Sequence, residues 1–280
     1  MDCGAIIEAR TTTIDRMANE LRAQALDLLL QTDAGAKAAG ARLLHPSGPL
    51  QAHTVLEEPP GIPGRPTRPA LVGFNALPRR SVATVPGRAV LIHALAHIEL
   101  NAIDLALDIV WRFAGLPDAF YRQWIGVARE EALHFELLLG HLRTLGHDYG
   151  DFPAHNGLWE MAEKTRLDAL ARLALVPRTL EARGLDASPP MRKRLAAAGD
   201  DKAAAILDTI LRDEIGHVAV GNHWYRYLCQ QQGRDPIATY AALAKQHGAP
   251  RLRGPFNMEA RRAAGFDEVE LALLQQQAAS

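Results

Sequence analysis

Two stretches of the sequence repeat one pairing of metal-ligand side chains. "REEALHF" places Glu131 three residues before His134, and "RDEIGHVAVGNHW" places Glu214 three residues before His217. Residues at positions i and i+3 share a helix face, so one carboxylate and one imidazole can reach the same ion. Apolar residues surround Glu214 on its face, and a buried carboxylate is costly unless it is paired or metal-bound. The spacing therefore predicts two metal-binding Glu-x-x-His pairs.

Two more glutamates stand on apolar helix faces. Glu99 is the only charge on a stripe that includes Leu95 and Ala102, and Glu181 follows Leu173 on another stripe. Two Glu-x-x-His helices and two single-Glu helices supply the ligand set of carboxylate-bridged dinuclear sites in four-helix bundles. Two divalent cations would cancel the charge of four crowded carboxylates, and oxygen and imidazole ligands suit iron or manganese. We predict two iron ions, with manganese or a mixed pair as alternatives, held by Glu99, Glu131, His134, Glu181, Glu214 and His217.

Three further residues are considered as metal ligands. Glu130 could exchange roles with Glu131, although the residue three positions after Glu130 is Leu133. His93 and His97 have the i, i+4 spacing of a metal pair, but His97 lies on nearly the opposite helix face from Glu99, so we expect both to be structural. No catalytic residue beyond the ligands and no organic cofactor is predicted.

Asp213 and Asp186 are candidates to orient a ligand imidazole or an arginine, because metal-bound histidines usually donate their second N–H to an acceptor. Pro177 stands four residues before Glu181 and removes one helical hydrogen bond. A local distortion is therefore expected there, as often found at functional sites.

Four long helices must position these residues. Helical spacing predicts them at about 88–114, 118–145, 158–183 and 201–232, the third interrupted at Pro177 and ended by Gly184. Shorter helices are expected at 13–31, after the N-cap candidate Ser188, at 236–247 and at 267–277. The interval from Glu131 to Glu181 is longer than the two flanking intervals, which suits a crossover between two helical hairpins. The predicted fold is all-α, a ferritin-like four-helix bundle with a long crossover.

We predict three regions: an N-terminal helix and extended strap (1–87), the bundle (88–233), and a C-terminal helical extension packing on the bundle (234–280). Nine prolines forbid long helices between 44 and 87. Five arginines and no acidic residue lie between 61 and 98. They are either solvated or paired, or they form an anion site near "LPRRS".

The composition limits the classes of function. The 280 residues are 48% hydrophobic with a net charge of −1, so nothing global favours nucleic-acid or membrane binding. Cys3 and Cys229 form no CxxC pair. We found neither a signal peptide nor an unbroken run of eighteen apolar residues, so a soluble cytoplasmic protein is expected.

Four segments carry a resemblance to a known family: "HALAHIELNAIDLALD", "AREEALHF", "LVPRTLEARGLD" and "LRDEIGHVAVGNHW". They resemble the bacterial ferritin-like domain family of unknown function, which is grouped near the non-haem di-iron tRNA hydroxylases. The resemblance runs from "LPRRS" to "RGPFN". It implies the same six metal ligands, and it implies a fold and a site without assigning a reaction.

Three functions fit these features. The first is an oxygen-activating oxidoreductase or hydroxylase that uses dioxygen, an electron donor and an unknown organic substrate. A tRNA substrate is conceivable, although the near-neutral net charge argues against a large binding surface for phosphate groups. The second is iron handling or peroxide detoxification. The third is a non-enzymatic scaffold with a structural metal. The chain's extra segments favour the first over the second, and a homodimer is an open possibility.

Overall fold

The computed structural model describes residues 20–78 and 81–279, and within these ranges the fold is all-helical with no strand. An isolated parallel bridge joins Leu71 to Ala154. The α-helices in chain order are α1 (Leu21–Leu29), α2 (Ala34–Leu43), α3 (Val85–Arg112), α4 (Asp118–Thr144), α5 (Gly157–Lys164), α6 (Ala169–Leu175), α7 (Ala182–Ala197), α8 (Asp201–Gln231), α9 (Pro236–Gln246), α10 (Met258–Ala263) and α11 (Glu268–Ala279). A π-helical turn, Val176–Glu181, separates α6 from α7 and is called the π segment below. This all-α architecture confirms the predicted class and is compatible with a ferritin-like bundle.

Three of the four long helices are where the sequence predicts them, and the third is not. Instead of one helix at 158–183, the chain forms α5, a break, α6, the π segment and α7. Asp168 caps α6 by accepting hydrogen bonds from the backbone N–H groups of Leu170 and Ala171. The break is therefore explained by a local polar contact that competes with helix continuation.

The predicted helix end at Gly184 and the predicted cap at Ser188 are both wrong, because α7 continues through Pro189 and Pro190. A proline in a helix leaves the carbonyl four residues earlier without its N–H donor. Here the Leu185 carbonyl accepts a hydrogen bond from the side-chain amide of Asn257, at 3.2 Å. A distant residue thus offsets the lost bond.

The N-terminal prediction at 13–31 is confirmed within the described residues only as α1, since residues 1–19 lie outside them. Helices α2 and α10 were not predicted. Both are short and rich in alanine or arginine rather than in large apolar residues, so neither carries a strong apolar stripe. Within its described residues, 44–78 and 81–84, the strap forms no long helix, as its prolines predict, and has one 3₁₀ turn at Phe74–Ala76.

The chain divides into two compact units, and α3 and α4 each contribute to both. Within the described residues, unit 1 comprises 20–67 and 102–133. In this unit the buried Arg22 donates two hydrogen bonds to α3. Its Nε donates to the Val110 carbonyl at 3.1 Å, and its Nη2 donates to the Trp111 carbonyl at 2.6 Å. These carbonyls belong to the last turn of α3, where helix acceptors lack partners and the dipole favours a cation. The arginine therefore caps the helix from the side.

Within the described residues, unit 2 comprises 68–78, 81–101 and 134–279. One of its apolar clusters joins α7, α8 and the C-terminal helices through Ala182, Leu185, Val218, Ala260, Ala264, Phe266 and Leu271. The strap enters this unit at its bridge to Ala154. The C-terminal helices are thus part of the packed core of unit 2.

Helix α3 is long and apolar enough to cross a membrane by length and composition alone. Most of its apolar window is buried inside the protein. Burial on this scale is typical of the core helix of a soluble protein, with which the structure is compatible.

Candidate metal centre

Five of the six predicted ligands are buried. Exposed fractions are 4% for Glu99, 0% for Glu131 and His134, 7% for Glu214 and 1% for His217. Glu181, at the end of the π segment, is only partly buried. Glutamate is rarely buried in proteins without compensation, so three deeply buried glutamates indicate a site that supplies it.

Four of these residues form one cluster. Glu99, Glu131, His134 and Glu214 each offer a ligand atom, and these atoms all lie within 4.8 Å of one another. Glu131 and His134 are one turn apart on α4, as their spacing predicts. The donor set of three carboxylates and one imidazole fits a divalent metal that prefers oxygen and nitrogen ligands. The buried cluster can therefore hold a metal ion.

His134 is held on both sides of its ring. Its Nδ1 lies 3.4 Å from the Glu99 carboxylate, and its Nε2 lies 3.1 Å from Oδ2 of Asp213. Arg212 in turn donates from Nε to Asp213 Oδ1 at 2.8 Å. Burial by itself would raise the pKa of Asp213, but the hydrogen bonds from Arg212 and His134 hold that pKa below its usual value. The charged Asp213 therefore orients His134, as the sequence suggested for this residue.

The other two predicted ligands lie outside this cluster of four. His217 belongs to α8 with Glu214; its Nδ1 is 3.9 Å from Glu214 Oε1, and its ring centroid is 5.8 Å from that of His134. Glu181 lies one residue before α7. A residue that shapes this region is Gly221, where a Cβ atom would lie 2.6 Å from Cβ of Pro177. The close approach of α8 to the π segment therefore requires glycine.

The structure separates the alternatives that the sequence left open. Glu130 is exposed whereas Glu131 is buried, so Glu131 faces the cluster. Asp186 binds Arg261, with 2.6 Å between Oδ2 and Nη2, and accepts from the Asn257 backbone N–H at 2.9 Å. It therefore holds the C-terminal segment and not a ligand imidazole.

His93 and His97 hold a loop against α3. His93 accepts a hydrogen bond from the Gly150 backbone N–H at 3.0 Å, and His97 Nδ1 lies 2.8 Å from the Tyr149 hydroxyl. His97 Nε2 also lies 3.1 Å from the His155 carbonyl. These contacts agree with the structural role predicted for both histidines.

Two buried polar residues, Asn101 and Arg178, were not singled out from the sequence. Asn101, two residues after Glu99, donates to the His97 carbonyl at 2.7 Å and is buried. Arg178, inside the π segment, is also buried and contacts α8 and α11. An arginine inside the apolar run "LALVPRTL" was the available hint.

The proposed anion site near "LPRRS" includes residues 79 and 80, which lie outside the described residues.

A comparison with protein-family models identifies the family of this chain. Residues 13–272 match the family model described as "Protein of unknown function (DUF455)". An uncharacterized protein of Haemophilus influenzae is 49% identical over 213 residues, which cover 74% of each chain. No solved structure matches the chain. On the extent of the family match and the identity to this relative, the chain belongs to the DUF455 family of proteins of unknown function.

Proposed function

We propose that this protein holds two metal ions, with iron the expected metal, and uses them to oxidise or hydroxylate an organic substrate with dioxygen. The observation that carries the proposal is the convergence of four buried ligand residues, three of them glutamates, with ligand atoms within 4.8 Å. Like charges at such distances raise one another's pKa and disfavour ionisation unless cations are present. Two divalent ions offset this repulsion better than one.

In this proposal all six predicted residues are ligands. Each Glu-x-x-His pair holds one ion, Glu131 with His134 and Glu214 with His217, while Glu99 and Glu181 complete the set. Two redox-active ions supply, when bound, electrons for the reduction of dioxygen. Net hydroxylation places one oxygen atom in a C–H bond and releases the other as water, which consumes two electrons from a donor and two protons from solvent.

The protein's own contribution is orientation and exclusion of water. Asp213 accepts a hydrogen bond from His134, so the ring proton is held at Nε2 and Nδ1 is left on the side of Glu99. Val218 on α8 and Ala132 on α4 are fully buried on helices that carry the ligands. Such apolar surroundings strengthen electrostatic interactions at the centre.

The proposed partners are dioxygen, an electron donor and an organic substrate of unknown class, in the cytoplasm. A tRNA substrate receives little support, because a net charge of −1 gives no overall attraction to a polyanion. The ferritin-like relationship suggested by the sequence segments belongs to this proposal as well.

The test is metal analysis of protein purified without chelator or affinity metal, followed by anaerobic loading with Fe(II) and measurement of oxygen consumption. We expect about two irons per chain, as the dinuclear ligand set requires, and oxygen uptake when air is admitted. Glu131→Ala should lose metal and oxygen uptake while its helical circular dichroism stays intact. The matched control is Glu130→Ala, one residue away and exposed, which should bind metal like the wild type.

Two results would count against the proposal. If the wild-type protein takes up no iron, the cluster is a buried polar network and the protein is a scaffold without a metal. Iron uptake without any reaction with oxygen would leave a metal-binding protein and exclude the oxidase or hydroxylase activity.

A further inference from the structure

The π segment, Val176–Glu181, is held by residues far away in the sequence. Its third residue, Arg178, has a side chain that is 3% exposed. Nη1 of this arginine donates to Asn222 Oδ1 on α8 at 2.8 Å, and Nη2 donates to the Glu270 carboxylate on α11. One side chain thus links the π segment to two other helices.

Three aromatic rings surround the same guanidinium. Its central carbon lies 4.8 Å from the ring centroid of Tyr225, 4.9 Å from that of Phe266 and 5.4 Å from that of Tyr240. Cations within about 6 Å of an aromatic face are attracted by the ring, and the planar guanidinium can stack and donate at once. We call Asn222, Glu270 and these three rings the Arg178 anchor.

The Glu270 side chain is also held by contacts other than the one with Arg178. It is the third residue of α11, and its carboxylate accepts from the Asp267 backbone N–H at 3.0 Å, while Asp267 accepts from the Glu270 N–H at 2.9 Å. This is a capping box. Arg226 also donates to Glu270 Oε2 at 2.6 Å. The carboxylate is therefore a rigid partner for Arg178.

The residues on either side of Arg178 are held too. Pro177 packs against Gly221, and the Thr179 hydroxyl donates to the Ala174 carbonyl at 2.8 Å and lies 3.0 Å from the Tyr240 hydroxyl. A π turn is a rare conformation that depends on its surroundings. Three consecutive residues are thus fixed by outside contacts, and Glu181 is the last residue of the same turn.

We infer that the Arg178 anchor is a positioning device through which the C-terminal helices set the place of the Glu181 carboxylate at the metal centre. This inference rests on the proposed function, in which Glu181 is a ligand. If the contact between Arg178 and Glu270 is weakened, the π segment loses its fixed register and Glu181 no longer reaches the ions with the same geometry. One of the two ions should then bind more weakly.

The experiment compares Glu270→Gln with the matched control Asp267→Asn. Asparagine still caps α11, and Asp267 touches Arg226 but makes no hydrogen bond to Arg178. Each protein is titrated with Mn²⁺ while free Mn²⁺ is followed by electron paramagnetic resonance. Hydrogen exchange of the amides at 176–182 is measured without metal.

In Glu270→Gln we expect one Mn²⁺ to bind about 10- to 100-fold more weakly, the usual effect of losing a residue that supports a ligand. Amides of the π segment should exchange faster, while those in the middle of α3 and α8 stay protected. Asp267→Asn should match the wild type in both measurements. Should Glu270→Gln fail to fold, Tyr240→Phe removes only the hydroxyl that meets Thr179, and we expect changes in the same direction but smaller.

Several results would overturn the inference. Unchanged Mn²⁺ binding by a folded Glu270→Gln protein, or equal losses in Asp267→Asn, would show that the Arg178 contact does not position a ligand while leaving the proposed function intact. A wild-type protein that binds no Mn²⁺ and no Fe²⁺ would remove the proposed function itself, and the positioning role would fall with it.

Discussion

Buried acidic residues of α3 have different partners in the two units. In unit 1, Asp104 accepts a hydrogen bond from the buried Lys37, and Asp108 meets Arg112 with a closest contact of 2.8 Å. In unit 2, Glu99 meets the imidazole of His134, and the Glu214 carboxylate belongs to the same cluster of ligand atoms. In unit 1 the chain itself supplies a lysine or arginine cation for each of these aspartates. Around Glu99 it supplies histidine and further carboxylates, which suits a cation from solution.

Metal removal should give the largest effect and tests that contrast directly. A site held at 1,000 times its Kd stabilises the folded state by about 4 kcal/mol. We therefore expect chelation to lower the free energy of unfolding by about that amount for each occupied site, measured by urea denaturation with and without chelator. Identical curves would mean that the carboxylates around Glu99 need no added cation.

The next largest effect concerns the lysine pair of unit 1. Lys37→Met leaves Asp104 buried without its cation, so we expect a loss of about 3–5 kcal/mol in unfolding free energy, the usual cost of breaking a buried pair from one side. The double variant Lys37→Met with Asp104→Leu should recover most of the loss. If Lys37→Met is as stable as the wild type, the pair with Lys37 does not offset the cost of burying Asp104.

A carboxylate of the metal cluster should behave in the opposite way. In metal-free protein, Glu214→Gln removes one of several crowded carboxylates and should raise the unfolding free energy by on the order of 1 kcal/mol, because repulsion between close like charges is relieved. With metal present, the same variant should be less stable than the wild type. If Glu214→Gln is destabilising even without metal, the cluster resembles the Lys37 pair and the contrast fails.

The effect that is smallest at neutral pH concerns unit 2 away from the cluster, because it appears only on acidification. Desolvation lowers the pKa of His93 from 6.5 to about 4. A lowered pKa in the folded state means that the unfolded chain takes up the proton first, so stability should fall as the pH drops from about 6.5 towards 4.

His93→Gln, whose amide oxygen can still accept from Gly150, should flatten that part of the pH–stability curve. The exposed His53→Gln is the control and should leave the curve unchanged. An equally steep curve in His93→Gln would assign the acid sensitivity to other groups.

Helices with strong apolar stripes were predictable, since their own residues decide them. The predicted ends of the helices that became α3, α4 and α8 agree with the structure to within about three residues, the usual accuracy of helix boundaries. The region from 158 to 197 was not predicted well. Its helices depend on the Asp168 cap, on the Asn257 amide that satisfies the Leu185 carbonyl, and on the anchor at Arg178, and two of these partners come from distant parts of the chain.

The sequence by itself determined which side chains could serve a metal, because i, i+3 spacing places a glutamate and a histidine on one helix face whatever the tertiary fold. It could not decide which of those side chains meet. Only tertiary packing buried Glu131 rather than Glu130 and placed Asp213 rather than Asp186 against the His134 imidazole. It also brought together Glu99, Glu131, His134 and Glu214. Helix rotation and close approach are set by contacts between helices, and a residue such as Gly221 reveals its purpose only when its neighbour, Pro177, is known.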